Sequence, residues 1–293
     1  MAFPNFPPPA GVGCTPVWTG AGFRVGETEL SVLEYSENFE GWSDELTMLH
    51  EESAGEAHPI DVASRNNAID QLRNHIPDPS SATFLEIGCS SGFMLKALRI
   101  AFPHASIVGA DVVREPLLAL APQIPNVPLL RFDLLKCPLP ECSFDAVVML
   151  NVLEHIQDDC NALQQVHRIL KPGGIAVIEV PAGPGLYDAY DKALRHFRRY
   201  RMSDIAEKMS AAGFSLQRKS HLGFFVYPAF AAVKRRNQRT YADSTDPESV
   251  VRKNASESKS SRLVALAFKV EESLGNWVRY PIGVRCLVVG RKG

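Results

Sequence analysis

Thr83-Phe84-Leu85-Glu86-Ile87-Gly88-Cys89-Ser90-Ser91-Gly92 reads as a buried strand running into a glycine turn, with a helix starting behind it. Glycine lacks a Cβ and reaches positive φ without a clash, so such a turn lets a ligand approach the backbone closely. The next apolar run, Ile107-Val108-Gly109-Ala110-Asp111, ends on a carboxylate 23 residues after Gly88, the length of one helix and one strand. Strand, turn, helix, strand, acid is the order that places a nucleotide-like ligand at the carboxyl ends of parallel strands.

The same alternation continues outward. Strands are predicted near 83–87, 106–110, 128–132, 144–149 and 175–180, and helices near 92–102, 114–121 and 160–170. The helix at 160–170 carries Leu163, Val166, Ile169 and Leu170 on one side and stops at Pro172-Gly173-Gly174. A further helix is predicted from Met202 to Ala212, a strand near 214–221 and a last strand near 284–291. Strand–helix alternation of this kind implies an α/β fold with a parallel, doubly wound sheet.

The glycine spacing selects the ligand. The order is Glu86-x-Gly88-x-x-x-Gly92, with Ser90 where a dinucleotide fingerprint has its second glycine. An acidic residue ahead of the first glycine disfavours a pyrophosphate and favours a cofactor carrying positive charge. This pattern resembles motif I of the class I S-adenosylmethionine-dependent methyltransferases. The resemblance extends over roughly 83–222, through Arg131-Phe132-Asp133-Leu134-Leu135, Asn151-Val152-Leu153-Glu154-His155-Ile156 and Leu170-Lys171-Pro172-Gly173-Gly174. It implies a Rossmann-like domain with an antiparallel last strand and S-adenosylmethionine as cofactor. By the same likeness Glu86 faces the cofactor's amino-acid end, and Gly88 and Gly92 form the cradle. Asp111, with Val112 beside it, takes the ribose hydroxyls; Asp133 and Leu134 contact adenine, and Asn151 the methionine moiety.

The domain organisation follows. Residues 1–22, with Pro7-Pro8-Pro9, read as an extended or disordered arm. Residues 23–82 read as an N-terminal helical cap in which Tyr35 and Trp42 either line the pocket or anchor the cap by apolar packing, and Arg65 is either a surface helix residue or a ligand of the cofactor carboxylate. Residues 83–222 plus 284–293 form the cofactor-binding domain. Residues 223–283 form an insertion serving as lid, substrate element or interface. Within it, Lys234, Arg235, Arg236 and Arg239 form a solvated basic edge. The stripe Leu263, Leu266, Val270 and Leu274 would pack on the sheet or on a neighbouring subunit of a homodimer. The apolar stretch with its basic cluster, 222–239, forms either a pocket wall or a peripheral membrane contact.

Methyl transfer is an in-line displacement in which the cofactor supplies the electrophile and the protein supplies position and a base. Two histidines are base candidates, His196 ahead of His155. The segment from Tyr187 to Tyr200 resembles a D-x-x-x-x-H-x-R-R-Y segment of bacterial methyltransferases related to the ubiquinone-biosynthesis type. On that likeness Tyr187 borders the acceptor, and Arg198 and Arg199 grip an anionic group on it. Glu154 and His155 are similar to part of a metal-binding E-x-x-E-H pattern, but Asn151 replaces the first glutamate, so no metal site is expected.

Composition bounds the rest. The 293 residues are 45% apolar and 22% charged, with net charge −2, which gives no reason to expect nucleic acid as partner. Six cysteines without a C-x-x-C pair read as reduced thiols of a cytoplasmic protein. The N-terminus lacks the pattern of a signal peptide. The stretch from Leu222 to Val233, interrupted by Pro228, is too short to span a bilayer. The expected acceptor is a hydroxyl or amine on a small molecule, be it a sugar, a secondary metabolite or a lipid-linked intermediate. The alternative is a cofactor-binding scaffold without catalysis.

Overall fold

The computed structural model describes residues 3–35, 56–240, 262–275 and 277–293. The chain opens with three short strands, β1 (Val17–Trp18), β2 (Phe23–Val25) and β3 (Thr28–Leu30), in a small antiparallel sheet. Next come β4 (Leu33–Glu34), helix α1 (Pro59–His75), β5 (Thr83–Ile87), α2 (Phe93–Ala101), β6 (Ser106–Asp111), α3 (Glu115–Leu120) and β7 (Leu129–Arg131). They are followed by β8 (Phe144–Leu150), α4 (Asp159–Ile169), β9 (Leu170–Pro181), α5 (Ala189–Ala193), α6 (Met202–Ala211) and β10 (Phe214–Leu222). The insertion supplies α7 (Tyr227–Thr240) and α8 (Arg262–Gly275) before β11 (Arg285–Lys292).

Eight strands form the main sheet in the order β10-β11-β9-β8-β5-β6-β7-β4. β4 to β9 pair in parallel, and β11 alone runs against its neighbours β9 and β10. The central strands read as unbroken apolar runs because both faces are covered. On one face Leu85, Val108, Val147 and Ile178 meet Leu163 and Val166 of α4 and Ile205 and Met209 of α6. On the other, Phe84, Ile107, Val148 and Val177 meet Leu72 of α1, Leu95 and Leu98 of α2 and Leu117 of α3. The strand order reverses at β5, which lies between β8 and β6, so a crevice forms at the carboxyl ends of these strands. The doubly wound sheet and its antiparallel last strand agree with the sequence-based expectation.

Two segments differ from it. The arm is extended but ordered from residue 3, and strands β2 to β4 occupy the start of the predicted helical cap, whose described helix is Pro59–His75. Aromatic burial is the reason. Phe6 is buried edge-to-face on Phe23, with centroids 5.2 Å apart, and the Tyr35 hydroxyl donates to the Pro7 carbonyl at 2.9 Å. Leu33 pairs with Leu130 and extends the main sheet by one strand. Trp42 lies outside the described residues.

The second difference concerns α8. Its stripe faces outward, with Leu263 77% and Leu266 57% exposed, while Phe268 and Glu271 are buried on the other side. A polar anchor sets this rotation. The Glu271 carboxylate accepts from the Gly223 and Phe224 amides at 2.7 and 2.8 Å, and Phe268 joins Ala63 and Leu222 in a small cluster. Turning the stripe inward would break both of these hydrogen bonds. The insertion leaves and rejoins the sheet at one place, where the Val284 amide donates to the Leu222 carbonyl at 2.7 Å. Among the described residues no helix is long and apolar enough to cross a membrane.

The ordered arm gives a direct test. Phe6→Ala is expected to lower unfolding stability by about 3 kcal/mol, read by urea denaturation; an arm free in solution would leave the midpoint unchanged.

Candidate functional site

A cavity of about 980 Å³ opens at the carboxyl ends of β5, β6 and β8. One end is built by the glycine turn and its bracing acid. Gly88 and Gly92 sit at φ +80 and +76. A Cβ on Gly88 would run into the Val152 side chain, and one on Gly92 would lie 2.5 Å from Leu120 Cδ1. Asp111 holds the turn open: Oδ2 accepts from the Ser90 amide at 2.8 Å, and Oδ1 from the Val112 and Val113 amides at 2.7 and 3.2 Å. Asp133 accepts from the Leu135 amide at 2.9 Å and so fixes the turn that carries Leu134. The Asn151 amide, at φ +55, donates to the Glu179 carbonyl at 2.9 Å. Glu86, Gly88, Asp111, Val112, Asp133, Leu134 and Asn151 all line the cavity, although they come from four different strand ends.

Glu86 is buried, and its Oε2 has no hydrogen-bond donor. Burial, reinforced by the nearby Asp111 charge, pushes its carboxyl well above the usual range. An acceptor left vacant at the wall of a ligand cavity asks for a donor or a cation from the ligand. Together with a turn whose two glycines have no room for a Cβ, this suits a cofactor bearing both an ammonium and a sulfonium; S-adenosylmethionine fits the residues present.

The other end of the cavity is built from distant pieces of the chain. The rings of His155 and His196 meet edge-to-face with centroids 4.6 Å apart. His196 Nδ1 lies 2.9 Å from Asp191 Oδ1. Asp191 also accepts from Arg199 Nε at 2.9 Å and from Lys234 Nζ at 3.2 Å, and Lys234 reaches Asp188 at 2.7 Å. Burial opposes ionisation of Asp191, but the His196 hydrogen bond and the two cations outweigh it and hold the carboxyl well below its usual range. Burial lowers the His196 pKa against the pull of Asp191, so the ring is neutral. Its proton is assigned to Nδ1 facing the carboxylate, which turns the Nε2 lone pair away from Asp191. Glu154 is 1% exposed, neither of its oxygens has a donor, and burial pushes its pKa up to about 8. One ligand atom each from Glu154, His155 and His196 lie within 4.8 Å of one another.

Several predicted roles change. Arg198 is held by Asp159 at 2.6 Å and by the Gln157 carbonyl, away from the cavity. Arg199 lines the cavity but is bound to Asp191. The Tyr187 hydroxyl donates to the His196 carbonyl at 2.6 Å rather than bordering the acceptor; Tyr190 lines the cavity in its place. Lys234 is no solvated edge: it is 5% exposed, because two buried carboxylates require a counter-charge. Tyr35 packs on the arm, not the cavity, and Arg65 lines the cavity while donating to the Glu56 carbonyl.

A buried knot beside the site was missed by the sequence reading. Arg285 Nη1 meets Glu179 at 3.0 Å and Nη2 meets Asp61 at 2.6 Å, while Ser64 donates to Glu179 at 2.6 Å. It ties α1, β9 and β11 together. The available signal was a glutamate inside the apolar run from Ile175 to Val180, a position that demands a partner.

Residues 62–219, more than half of the chain, match the model of the methyltransferase domain family. The chain belongs to that family and is a member of the class I S-adenosylmethionine-dependent methyltransferases. A protein of Mycolicibacterium smegmatis named as a probable S-adenosylmethionine-dependent methyltransferase is 28% identical over 135 residues, 45% of this chain and 52% of its own. Demethylmenaquinone methyltransferase of Thermus thermophilus is 31% identical over 130 residues, 42% and 57% of the two chains. The chain spans about half the length of the curated relatives it matches. Among solved structures, an S-adenosylmethionine-dependent methyltransferase of Thermotoga maritima superposes with a TM-score of 0.54 at 18% identity, covering 85% of this chain and 100% of that one. The YcgJ protein of Bacillus subtilis gives 0.52 at 17%, covering 78% and 97%. At these identities the likeness is one of fold.

The buried ion set makes Lys234 structural. Lys234→Met strands the Asp188 carboxylate and is expected to lower stability by about 3 kcal/mol in urea denaturation, whereas Arg235→Met, on the exposed side of the same helix, leaves it unchanged.

Proposed function

We propose that the chain transfers the methyl group of S-adenosylmethionine to a hydroxyl or amine of a small, uncharged acceptor with an apolar body. The observation that carries this reading is the continuity of one cavity, from the glycine cradle with its vacant Glu86 oxygen to the cluster of Glu154, His155 and His196. When bound, the cofactor supplies a methyl group on a positively charged sulfur. The chain positions the partners and removes water. Glu86 takes a donor from the cofactor's amino-acid end, Asp111 and Asp133 shape the nucleoside side, and Asn151 presents its backbone to the methionine moiety. The acceptor's heteroatom sits at His155 and His196, and its proton leaves at that cluster.

The walls at that end support an apolar acceptor. Val226, Phe230 and Val233 of the α7 segment and Val264 and Phe268 of α8 line it. Three cations of the described lining, Arg199, Lys234 and Arg285, are each ion-paired, which favours an uncharged acceptor. A sugar would leave its hydroxyls unpaired against those walls. Two relatives with named acceptors, trans-aconitate 2-methyltransferase of Azoarcus and demethylmenaquinone methyltransferase of Thermus thermophilus, act on small molecules.

Calorimetric titration with S-adenosylhomocysteine tests the cofactor half: binding on the order of 10 μM that Asp111→Ala weakens about 100-fold is expected. Absence of binding to folded wild type would remove the reading. For the acceptor half, His196→Asn is expected to lower kcat by about 100-fold in a methyl-transfer assay while leaving S-adenosylhomocysteine affinity intact.

A further inference from the structure

We propose that Glu154, His155 and His196 hold a divalent first-row transition-metal ion at the acceptor end of the cavity. The inference deepens the methyl-transfer reading and takes its chemical purpose from it, although its test does not depend on turnover.

The argument starts from an anomaly. Glu154 is almost completely buried at the cavity wall, and neither of its oxygens has a hydrogen-bond partner from another residue. A carboxyl group in that position is satisfied only by holding a proton or by meeting a cation. Two imidazoles, those of His155 and His196, lie close enough to share a ligand with it. The cations that act on it, Arg285 and Arg199, are engaged by Asp61, Glu179 and Asp191. Two imidazoles and one carboxylate are the ligands that manganese, iron, cobalt or zinc accept, whereas calcium and magnesium favour oxygen alone.

Ligand support is also present. His196 has its Nδ1 against Asp191 at 2.9 Å, which fixes the ring and leaves Nε2 as the nitrogen free to ligate. Asp191 is itself clamped by Arg199 and Lys234. A carboxylate holding the far nitrogen of an imidazole is the arrangement that orients metal-bound histidines and raises their basicity. The two contributing segments are stitched together as well, since the Phe197 amide donates to the Glu154 carbonyl at 2.8 Å. Metal–ligand distances of about 2.1 Å put ligand atoms about 3–4 Å apart, so the observed cluster closes on an ion by small side-chain rotations. The sequence pattern contained two of these ligands and lost a third at Asn151. The fold supplies a replacement from residue 196, 41 residues beyond His155.

Three protein ligands leave coordination positions open toward the cavity, as in catalytic rather than structural sites. An acceptor hydroxyl fits there. With an ion in place both imidazoles would be ligands; the ion would lower the pKa of the hydroxyl it binds, and the hydroxyl proton would pass to water in the cavity.

The test uses the full chain, stripped with a chelator and titrated with MnCl2, with free Mn2+ read by electron paramagnetic resonance. S-adenosylhomocysteine binding is measured on the same samples. The expected result is one saturable site per chain, weakened about 100-fold by Glu154→Gln and by His196→Asn, each retaining S-adenosylhomocysteine binding as proof of folding. Wild type that binds S-adenosylhomocysteine but shows no saturable Mn2+ site overturns the proposal. So does Mn2+ binding that the two substitutions leave unchanged, since the ion would then sit elsewhere. A saturable site that Glu154→Gln abolishes, in a chain that does not bind S-adenosylhomocysteine, supports the metal site and sinks the cofactor reading.

Discussion

A buried charge must meet another charge or a full set of hydrogen bonds, and that requirement shapes everything above the sheet. Glu179 at the end of β9 is met by Arg285 and Ser64, which brings the last strand and the cap helix together. Asp188 and Asp191 are met by Lys234 and Arg199, which draws α7 down onto the segment after β9. Glu271 is met by the amides of Gly223 and Phe224, which sets the rotation of α8. The cavity is the space these three fastenings enclose. Glu86 Oε2 at one end and the two oxygens of Glu154 at the other line the cavity without a hydrogen-bond partner, and there the rule is left for a ligand to satisfy.

Much of the sheet could be read in the sequence, because each strand announces itself locally. Thr83–Ile87 and Ser106–Asp111 are apolar on both faces and end in a turn or an acid, and their order alone implies the parallel arrangement. The N-terminal strands could not be read this way. Two- and three-residue strands carry almost no periodicity, and the prolines of 1–22 suggested a free arm, whereas Phe6 and Phe23 made it part of the core. The stripe on α8 misled for a related reason. Helical spacing shows that a face is apolar, but a single buried glutamate decided which face the helix turns inward.

The two ends of the site differ in the same way. Each cofactor-side residue sits at a strand end, next to the motif that nominates it, and Glu86, Gly88, Asp111, Asp133 and Asn151 converge because the strands do. The acceptor side is assembled from α1, the segment after β9 and the insertion, so its logic is a matter of contacts between remote residues. His196 was nominated by its neighbours, yet Arg198 and Arg199 in the same run carried no mark to show that Asp159 and Asp191 had already engaged them. Lys234 looked like one member of a surface cluster, and only the fold shows it to be the counter-ion of a helix cap.

The hydrogen bond between Val284 and Leu222 means that residues 223–283 enter and leave a hairpin through a single doorway. Their removal need not disturb the register of β10 against β11, which is set below that point. The chain is therefore organised as a fixed cofactor platform with an exchangeable cassette that forms the far wall. Replacing that segment changes the far wall of the cavity and leaves the strand-end residues in place. One condition travels with every replacement. The new segment must bring a cation to Asp188 and Asp191, because the platform already carries the acid half of that contact.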